Sequence, residues 1–167
     1  MFLDESRCNT DMTRRYAYSL GGSRAVDSAP LSKPKNTTIL SSIQLDGTLR
    51  YTTFSGGTTV ERFKRYLETD LLPHLNGNSV LIMDNMKSHH AKAVKNLLDS
   101  SEIRYIYLPP YSPDLNPIEK LLSKVKAFLR KFKARTLDAL PNAIQNAFHS
   151  VTISDCSGWF RFCGYAL

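Results

Sequence analysis

The segment from Tyr107 to Lys120, "YLPPYSPDLNPIEK", constrains the fold more than any other part of the sequence. It holds four of the chain's eight prolines within nine positions, and proline fixes φ and lacks a backbone N–H, so no central strand can continue through it. Asn116 is a good helix N-cap, Pro117 suits the first helical position, and Glu119 falls at the third. The sequence therefore predicts a rigid, turn-rich connection that runs directly into a helix.

The helix that follows is expected to be amphipathic and basic. At about 100° per residue, its apolar face consists of Ile118, Leu121, Leu122, Val125, Phe128, Leu129 and Phe132. A separate polar line consists of Glu119, Ser123, Lys126 and Arg130. The run from Lys120 to Arg135 carries seven Lys or Arg and no acid. Such a run is usually a solvated helix face, but we favour contact with DNA phosphates for Lys126 and Arg130, which project along the Glu119 line.

The N-terminal part of the chain is predicted to be rich in strands. "FLDES" reads as a strand with Asp4 at its carboxyl end, and "NTDMTRRYAYS" (residues 9–19) as a second, more polar strand. The stretch from Gly21 to Asn36 reads as a loop. "TTILSSIQL" and "RYTTF" flank "DGTL", which predicts a hairpin with Asp46-Gly47 in its turn.

Helices and strands alternate after the hairpin. A capping box of Thr58 and Glu61 predicts a helix that stops near Pro73. "SVLIMD" is a buried strand closed by Asp84, Ser88 caps a helix over residues 89–99, and "IRYIYLP" is a further strand. "RTLDALPNAIQNAFHSV" offers a last helix, with a break expected at Pro141. This order predicts an α/β fold with a mixed sheet flanked by helices. We expect residues 1–135 to form the core and residues 136–167 a helical extension packed on it.

Charge and composition restrict the class of function. The net charge of +7 favours a polyanionic partner, nucleic acid first and an anionic membrane surface second. No apolar run approaches the roughly 20 residues of a membrane-spanning helix, and no signal peptide is recognisable. The three cysteines lack a CxxC pair, which argues against a disulfide framework or a zinc site and suits a reducing cytosol. "SGGTT" lacks a following Gly-Lys-Ser/Thr, which argues against an NTPase.

Three acids occupy comparable positions. Asp4 and Asp84 are expected at the carboxyl ends of strands, and Glu119 at the start of the helix that follows the last strand. If the first two strands are neighbours, the carboxylates converge at one end of the sheet, where sites form in open α/β sheets. Carboxylates gathered in a cleft raise one another's pKa unless a cation joins them, and Mg²⁺ or Mn²⁺ suits such oxygen ligands. Two such ions activate an attacking hydroxyl and stabilise the leaving oxygen of a phosphodiester.

Each acid also has a simpler interpretation. Glu119 fits a capping box with Asn116, Asp84 fits the start of a turn, and Asp4 fits a surface position. His89 and His90 follow Asp84 closely, and a histidine in the first turn of a helix is more often a surface or capping residue than a ligand. If either histidine acts, His89 is expected to contact a phosphate. With four basic residues of the helix that follows Asn116, His89 makes up the predicted set of DNA-contacting residues: Lys120, Lys124, Lys126, Arg130 and His89.

These segments resemble a known family. "LIMDNMKSHHA" and "YIYLPPYSPDLNPIEKLLSKVKAFLR" are similar to the DDE-superfamily transposases of bacterial insertion sequences related to mariner elements. In those enzymes the second and third acids are separated by the 34 residues that lie between Asp84 and Glu119 here, and "FLDES" with "NTDMTRR" resembles the segment around the first acid. The motif residues that carry the resemblance are Asn85, Pro110, Pro113, Asp114, Asn116 and Pro117.

The resemblance implies a ribonuclease H-like fold and a DNA strand transferase dependent on Mg²⁺ or Mn²⁺, with two ions expected. The first, second and third acids would be Asp4, Asp84 and Glu119, as catalytic residues and metal ligands. Such enzymes cut double-stranded DNA at the element's terminal inverted repeats, and the freed 3′-hydroxyl attacks target DNA, typically at TA. A homodimer on DNA and a cytoplasmic, nucleoid-associated location in a bacterium are further expectations from the family, with no membrane involved.

Two departures from the family pattern are visible. Family members carry an N-terminal helix-turn-helix region, and none is expected within this sequence. The first strand is expected to be clipped because Asp4 follows only three residues. Leu122 stands where relatives usually have Trp. A separate N-terminal helix-turn-helix half is therefore an expected partner. The alternatives are a truncated, inactive DNA-binding or regulatory fragment of a transposase and a basic domain of structural role in which the acids are scattered.

Overall fold

The strands form one mixed sheet at the centre of the molecule. The computed structural model describes residues 1–14, 16–30 and 34–165, and within them lie β1 (Phe2–Asn9), β2 (Asn36–Ile43), β3 (Leu49–Ser55), β4 (Val80–Met83) and β5 (Arg104–Tyr107). They are ordered β3-β2-β1-β4-β5. The first three pair antiparallel, whereas β1 with β4 and β4 with β5 pair parallel. The predicted mixed sheet is confirmed, with the Asp4 and Asp84 strands as neighbours.

The two long edges of β1 are paired very differently. Along β2 it pairs over its whole length, from Phe2 opposite Ile43 to Asn9 opposite Asn36. Along β4 it pairs only at Phe2, opposite Ile82, and at Leu3, opposite Met83. β4 ends at Met83. Among the described residues, no strand therefore pairs with β1 beyond Leu3 on that side.

The helices cover both faces of the sheet. They are α1 (Val60–Tyr66), α2 (Lys92–Ser100), α3 (Pro117–Phe132), α4 (Ala139–His149) and α5 (Ile153–Phe162). The chain continues from α1 through a π-helical segment, Leu67–Leu71, and a 3₁₀ turn, Leu72–His74. A second 3₁₀ turn, Pro113–Leu115, immediately precedes α3. In the described part of the chain, no helix has both the length and the apolar character needed to cross a bilayer.

Alternation along β1 divides the core into two clusters, one on each face of the sheet. Phe2 and Cys8 face α3, α4 and α5, and Phe2 packs edge-on against Phe160 with ring centroids 5.4 Å apart. Leu3 faces the opposite side, where it packs with residues of α1 and α2 such as Phe63 and Leu98. Asp4 lies on the same face as Phe2, which directs it towards α3.

The hairpin and the start of α3 form as the sequence predicts. Gly47 adopts a φ of 89° in the β2–β3 turn, a conformation that favours glycine, and Asp46 Oδ1 accepts a hydrogen bond from the backbone N–H of Thr48 at 2.8 Å. α3 begins at Pro117 with Asn116 in the N-cap position. The residues of its predicted apolar face are buried or partly buried, except for Phe132, which is half exposed at the C-terminal end.

Several predicted boundaries are wrong. Residues 10–14 and 16–19 form no strand, while Arg15 lies outside the described residues. The N-cap of α1 is Thr59, whose side chain accepts from the backbone N–H of Arg62, because the Thr58 hydroxyl instead donates to Glu5. α2 begins at Lys92, so Ser88 does not cap it.

The C-terminal region contains two helices. Pro141 does not break α4, because it lies in the first turn, where the missing N–H costs no intrahelical bond. α5 was not predicted as a helix. Its N-cap is Thr152, which forms a capping box with Asp155. Its two phenylalanines have different surroundings, since Phe160 is buried in the core and Phe162 is exposed.

Candidate active site

Asp4 and Asp84 meet where β4 ends. Leu3 and Met83 are register partners in the parallel β1–β4 pair, so Asp4 and Asp84 are the next residues on the two strands. Asp4 was predicted at the carboxyl end of its strand, but it lies in the first half of β1. It reaches the edge of the site because its parallel neighbour stops beside it. The convergence therefore depends on the length of β4.

The proline-rich connection brings Glu119 to the same place. Leu108, the first residue after β5, donates its backbone N–H to Met83 O at 2.8 Å, which ties the start of the connection to the end of β4. A cavity of about 400 Å³ lies between them. It is lined by Asp4, Asp84, Asn85, Pro110, Pro113, Asn116 and Glu119, among others. The three acids predicted from the sequence thus line one cavity.

Asp4 is the buried member of the three acids. Its exposed fraction is 6%. Oδ1 accepts a hydrogen bond from the backbone N–H of Glu5 at 2.6 Å, and Oδ2 accepts one from Asn116 Nδ2 at 2.9 Å. The pKa of Asp4 is raised to about 7, mainly by burial and also by the negative charges of Asp84 and Glu119, whereas the Glu5 N–H and His89 lower it. The surface alternative for Asp4 is wrong.

Asp84 is held from the opposite side by a buried histidine. His89 Nδ1 lies 2.7 Å from Asp84 Oδ1, and the ring stacks on Phe63 with centroids 4.2 Å apart. His89 is fully buried, and Tyr107 donates its hydroxyl to the His89 carbonyl at 3.0 Å. The predicted contact between His89 and a DNA phosphate is wrong, because a side chain without exposed surface cannot reach one.

Glu119 differs from the two aspartates because it is exposed. It occupies the first turn of α3, where its backbone N–H donates to Asn116 O at 3.1 Å. The capping-box interpretation is wrong, since no side-chain hydrogen bond caps this helix. Within the part of the chain that the structure describes, the Glu119 side chain therefore makes no hydrogen bond that would compete with a ligand in the cavity.

The acids share a cavity but do not form a compact cluster. Among residues 1–14, 16–30 and 34–165, no three His, Cys, Asp or Glu side chains lie close enough together to hold a metal ion. Oxygen donors of this kind nevertheless suit Mg²⁺ or Mn²⁺. The raised pKa of Asp4 shows that the cavity disfavours uncompensated negative charge. The donor set therefore fits a divalent cation, and Asp84 and Glu119 have the exposure needed to turn towards one.

The basic residues predicted to contact DNA have different surroundings. Lys124 forms an ion pair with Asp155 at 2.5 Å, and Lys120 lies over the Phe162 ring, 4.0 Å from its centroid. Lys126 and Arg130 line a separate cleft of about 400 Å³ beside the end of β1. Neither of these two side chains forms an ion pair within the described residues.

The remaining motif residues shape the connection. Pro113 and Asp114 form the 3₁₀ turn before α3. Pro117 is buried at the first position of the helix, and Asn85 bonds to His90 through its side chain. The side-chain roles of His89 and Asn116 were not predicted. Asn116 contacts Asp4 across 112 positions of sequence, and residue spacing does not show such a contact.

Comparison with known proteins agrees with this arrangement. The family model of the DDE superfamily endonucleases matches residues 1–141. The transposable element Tc1 transposase of Caenorhabditis elegans is 27% identical over 97 residues, which cover 56% of this chain and 36% of that protein.

Solved structures of Mos1 transposase share the fold. Its paired-end complex with left transposon end gives a TM-score of 0.79 at 19% identity, over 96% of this chain and 50% of that one. A Mos1 mariner paired end complex with Mn gives 0.71 at 19% identity, over 96% of this chain and 51% of that chain. The predicted ribonuclease H-like fold is confirmed.

A mixed sheet between two helical layers, with three acids around one cavity, defines a nuclease-type domain. The chain belongs to the DDE superfamily endonucleases. It is similar in sequence to the Tc1 transposase and in fold to Mos1 transposase. It spans about half the length of the Mos1 chains and about a third of the Tc1 protein.

Proposed function

We propose that this chain is a catalytic domain that cuts DNA strands and transfers them, as a DDE transposase does. The observation that carries the proposal is the convergence of Asp4, Asp84 and Glu119 on one cavity from three remote parts of the chain. Membership of the endonuclease family supports it. So does the arrangement of the cavity at the end of the parallel pair, where α/β sheets form their sites.

In this proposal Asp4, Asp84 and Glu119 hold one or two Mg²⁺ or Mn²⁺ ions. Such ions, when bound, activate an attacking hydroxyl and stabilise the leaving oxygen of a phosphodiester. Asp4 contributes a fixed carboxylate, since both of its oxygens already accept hydrogen bonds. Asp84 keeps Oδ2 available while Oδ1 faces His89, and the exposed Glu119 closes the site from α3.

Lys126 and Arg130 are proposed to bind the DNA backbone. They lie seven and eleven residues after Glu119 on the same helix, which corresponds to about 10 Å and 16 Å along its axis. Both line one cleft together with Arg7 and Asp11, and neither forms an ion pair among the described residues. Lys124 is a weaker candidate because Asp155 already compensates its charge.

The wider assembly is also a proposal. Terminal inverted repeats and a TA-type target would be the DNA partners, with a homodimer bringing two ends together. A helix-turn-helix region, present elsewhere in the protein or in a separate chain, would recognise the repeats. The similar Mos1 structures support this, since both are paired-end complexes and one of them is a complex with the left transposon end.

One observation favours an alternative function. The three carboxylates are not gathered as a compact metal-holding group in the described residues. A chain that binds DNA or a second transposase copy without cutting would need the basic cleft but no metal. This alternative predicts salt-sensitive DNA binding without cleavage.

Cleavage of DNA tests the proposal. A supercoiled plasmid carrying the DNA that flanks the gene is incubated with the protein in Mg²⁺ or Mn²⁺, and nicked and linear products are measured. Asp84→Asn and Glu119→Gln should each lower the rate at least about 100-fold, since loss of a residue that only supports a metal ligand already costs 10–100-fold.

Matched controls carry the same chemical change at exposed positions away from the cavity. Asp138→Asn and Glu68→Gln should retain the parental rate, because neither residue lines the cavity. Equal activity in the parent, Asp84→Asn and Glu119→Gln would refute the proposed function. DNA binding without cleavage by the parent would support the alternative.

A further inference from the structure

Asn116 occupies the N-cap position of α3 without capping it. Its backbone is extended, with φ −111° and ψ 96°, as N-cap residues usually are. Its carbonyl accepts from the Glu119 N–H. The side chain, however, makes no hydrogen bond to the first turn. The residue type that suggested a cap in the sequence is therefore used for something else.

The Asn116 amide is directed to Asp4. Nδ2 donates to Asp4 Oδ2 at 2.9 Å across 112 residues of sequence, and both residues are buried, at 3% and 6% exposure. The Glu5 N–H donates to the other oxygen, Oδ1. Together the two donors fix the plane of a carboxylate that would otherwise rotate about its χ2 bond. Each oxygen retains a lone pair for a further ligand.

This arrangement has a cost that capping would avoid. Asn116 Oδ1 is buried and has no hydrogen-bond partner among the described residues, and such an acceptor costs about 1–3 kcal/mol. A serine or aspartate at this position could cap α3. At α5 the chain does use such a cap, since Thr152 accepts from the Asp155 N–H at 3.1 Å. Stability alone therefore does not account for the amide at position 116.

We propose that Asn116 is a positioning residue that holds the Asp4 carboxylate in the orientation required to bind a divalent cation. The inference rests on the proposed function, because it gives Asp4 the role of a ligand. It adds a residue outside the three acids to the site. The NH₂ group of Asn116 is a hydrogen-bond donor that reaches from the start of α3 to the sheet. A shorter capping side chain such as serine cannot provide this donor.

The test separates capping from positioning with Asn116→Ser. Serine retains the capping group but is too short to reach Asp4 and carries no NH₂ donor. Mn²⁺ is titrated calorimetrically into the metal-free chain, and thermal unfolding is followed in parallel. We expect Asn116→Ser to bind Mn²⁺ about 10–100-fold more weakly, the usual effect of removing a residue that orients a ligand. Its unfolding midpoint should stay close to the parent's, because the new cap and the removal of the buried Oδ1 offset the lost hydrogen bond to Asp4.

Thr152→Ala is the matched control for loss of a cap. It removes a cap distant from the cavity, so it should lower the unfolding midpoint and leave Mn²⁺ affinity unchanged. Asn116→Ala and Asp4→Ala, made singly and together without metal, form a double-mutant cycle. Their midpoint shifts should be non-additive if the two side chains interact.

The outcomes are distinguishable. Parental Mn²⁺ affinity in a folded Asn116→Ser protein, or additive midpoint shifts in the cycle, would overturn the positioning role. Failure of the parent to bind Mn²⁺ would instead refute the proposed function, and with it any role for Asn116 in metal binding.

Discussion

His89 and Asp84 form a contact that is sealed on one side by the core: Nδ1 lies 2.7 Å from Oδ1, and the imidazole stacks on Phe63. A side chain expected in solvent is thus a buried support for an acid of the cavity. Asp84 is supported by His89 and Asp4 by Asn116, whereas Glu119 is exposed on the surface of α3.

Replacement of His89 by leucine should weaken the site more than the fold. Leucine keeps an apolar group against Phe63 but removes the nitrogen that faces Asp84. We expect DNA cleavage to fall about 10–100-fold, with a small change in the unfolding midpoint. His90→Leu is the neighbouring control, since His90 contacts Asn85 and Tyr107 rather than an acid of the cavity. Equal cleavage rates in both variants and the parent would refute a supporting role for His89.

In the absence of metal, the stability of Asp4→Asn relative to the parent should increase as pH rises. Burial raises the pKa of Asp4 from 3.8 to about 7, so between these values the folded state holds a proton that the unfolded chain has released. Stability of the parent therefore falls as pH rises through this window and is level above it. Relative to the parent, Asp4→Asn should gain up to about 4 kcal/mol of unfolding free energy by pH 8.

Denaturant unfolding at pH 4, 6 and 8 measures this difference. It should be small at pH 4, and added Mg²⁺ should reduce it at pH 8, since a cation compensates the buried charge of the parent. The exposed Asp138→Asn serves as the control. A difference between Asp4→Asn and the parent that does not change with pH would contradict the prediction.

Removal of Lys126 and Arg130, the two cations of α3 that line the basic cleft, should weaken DNA binding without changing its sequence preference. Each phosphate contact contributes a slope of about −0.9 to the dependence of log K on log salt. Lys126→Ala with Arg130→Ala should therefore make the slope less steep by about 2. Lys124→Ala is the matched control on the same helix, because this lysine is paired with Asp155. Fluorescence anisotropy with labelled duplexes at several salt concentrations would measure both, and an unchanged slope in the double variant would exclude the cleft as a DNA contact.

Part of this structure could be predicted from the sequence because the determinants are local. The Asp46-Gly47 turn, the apolar β4 run and the Asn116-Pro117 start of α3 are each encoded within a few residues. The order of the elements then made β1 and β4 plausible neighbours. The family motif added the identities of Asp84 and Glu119, which spacing alone left open.

The remainder depends on contacts between distant residues. Asp4 reaches the cavity because β4 ends beside it, and this depends on pairing rather than on the local pattern of β1. Thr58 is drawn to Glu5, which moves the cap of α1 to Thr59. The amide of Asn116 bonds to Asp4 instead of its own helix. None of these partners is visible from sequence spacing.

Two phenylalanines of α5 provide a test of how this helix joins the core. Phe160 is buried and packs against Phe2, while Phe162 is mostly exposed two residues later. Phe160→Ala should cost about 3–5 kcal/mol of unfolding free energy. Phe162→Ala should cost about 1 kcal/mol or less, since it loses only the exposed contact with Lys120. Denaturant unfolding of the two variants measures the contrast. Equal costs would show that α5 does not pack as described.

The most direct test of the central claim is calorimetric titration of Mn²⁺ into the metal-free parent, Asp84→Asn and Glu119→Gln. We predict saturable binding to the parent and a loss of at least about tenfold in affinity for each variant, with all three proteins folded. The absence of saturable binding to the parent, or equal affinity in all three, would contradict the claim that these acids form one cation site.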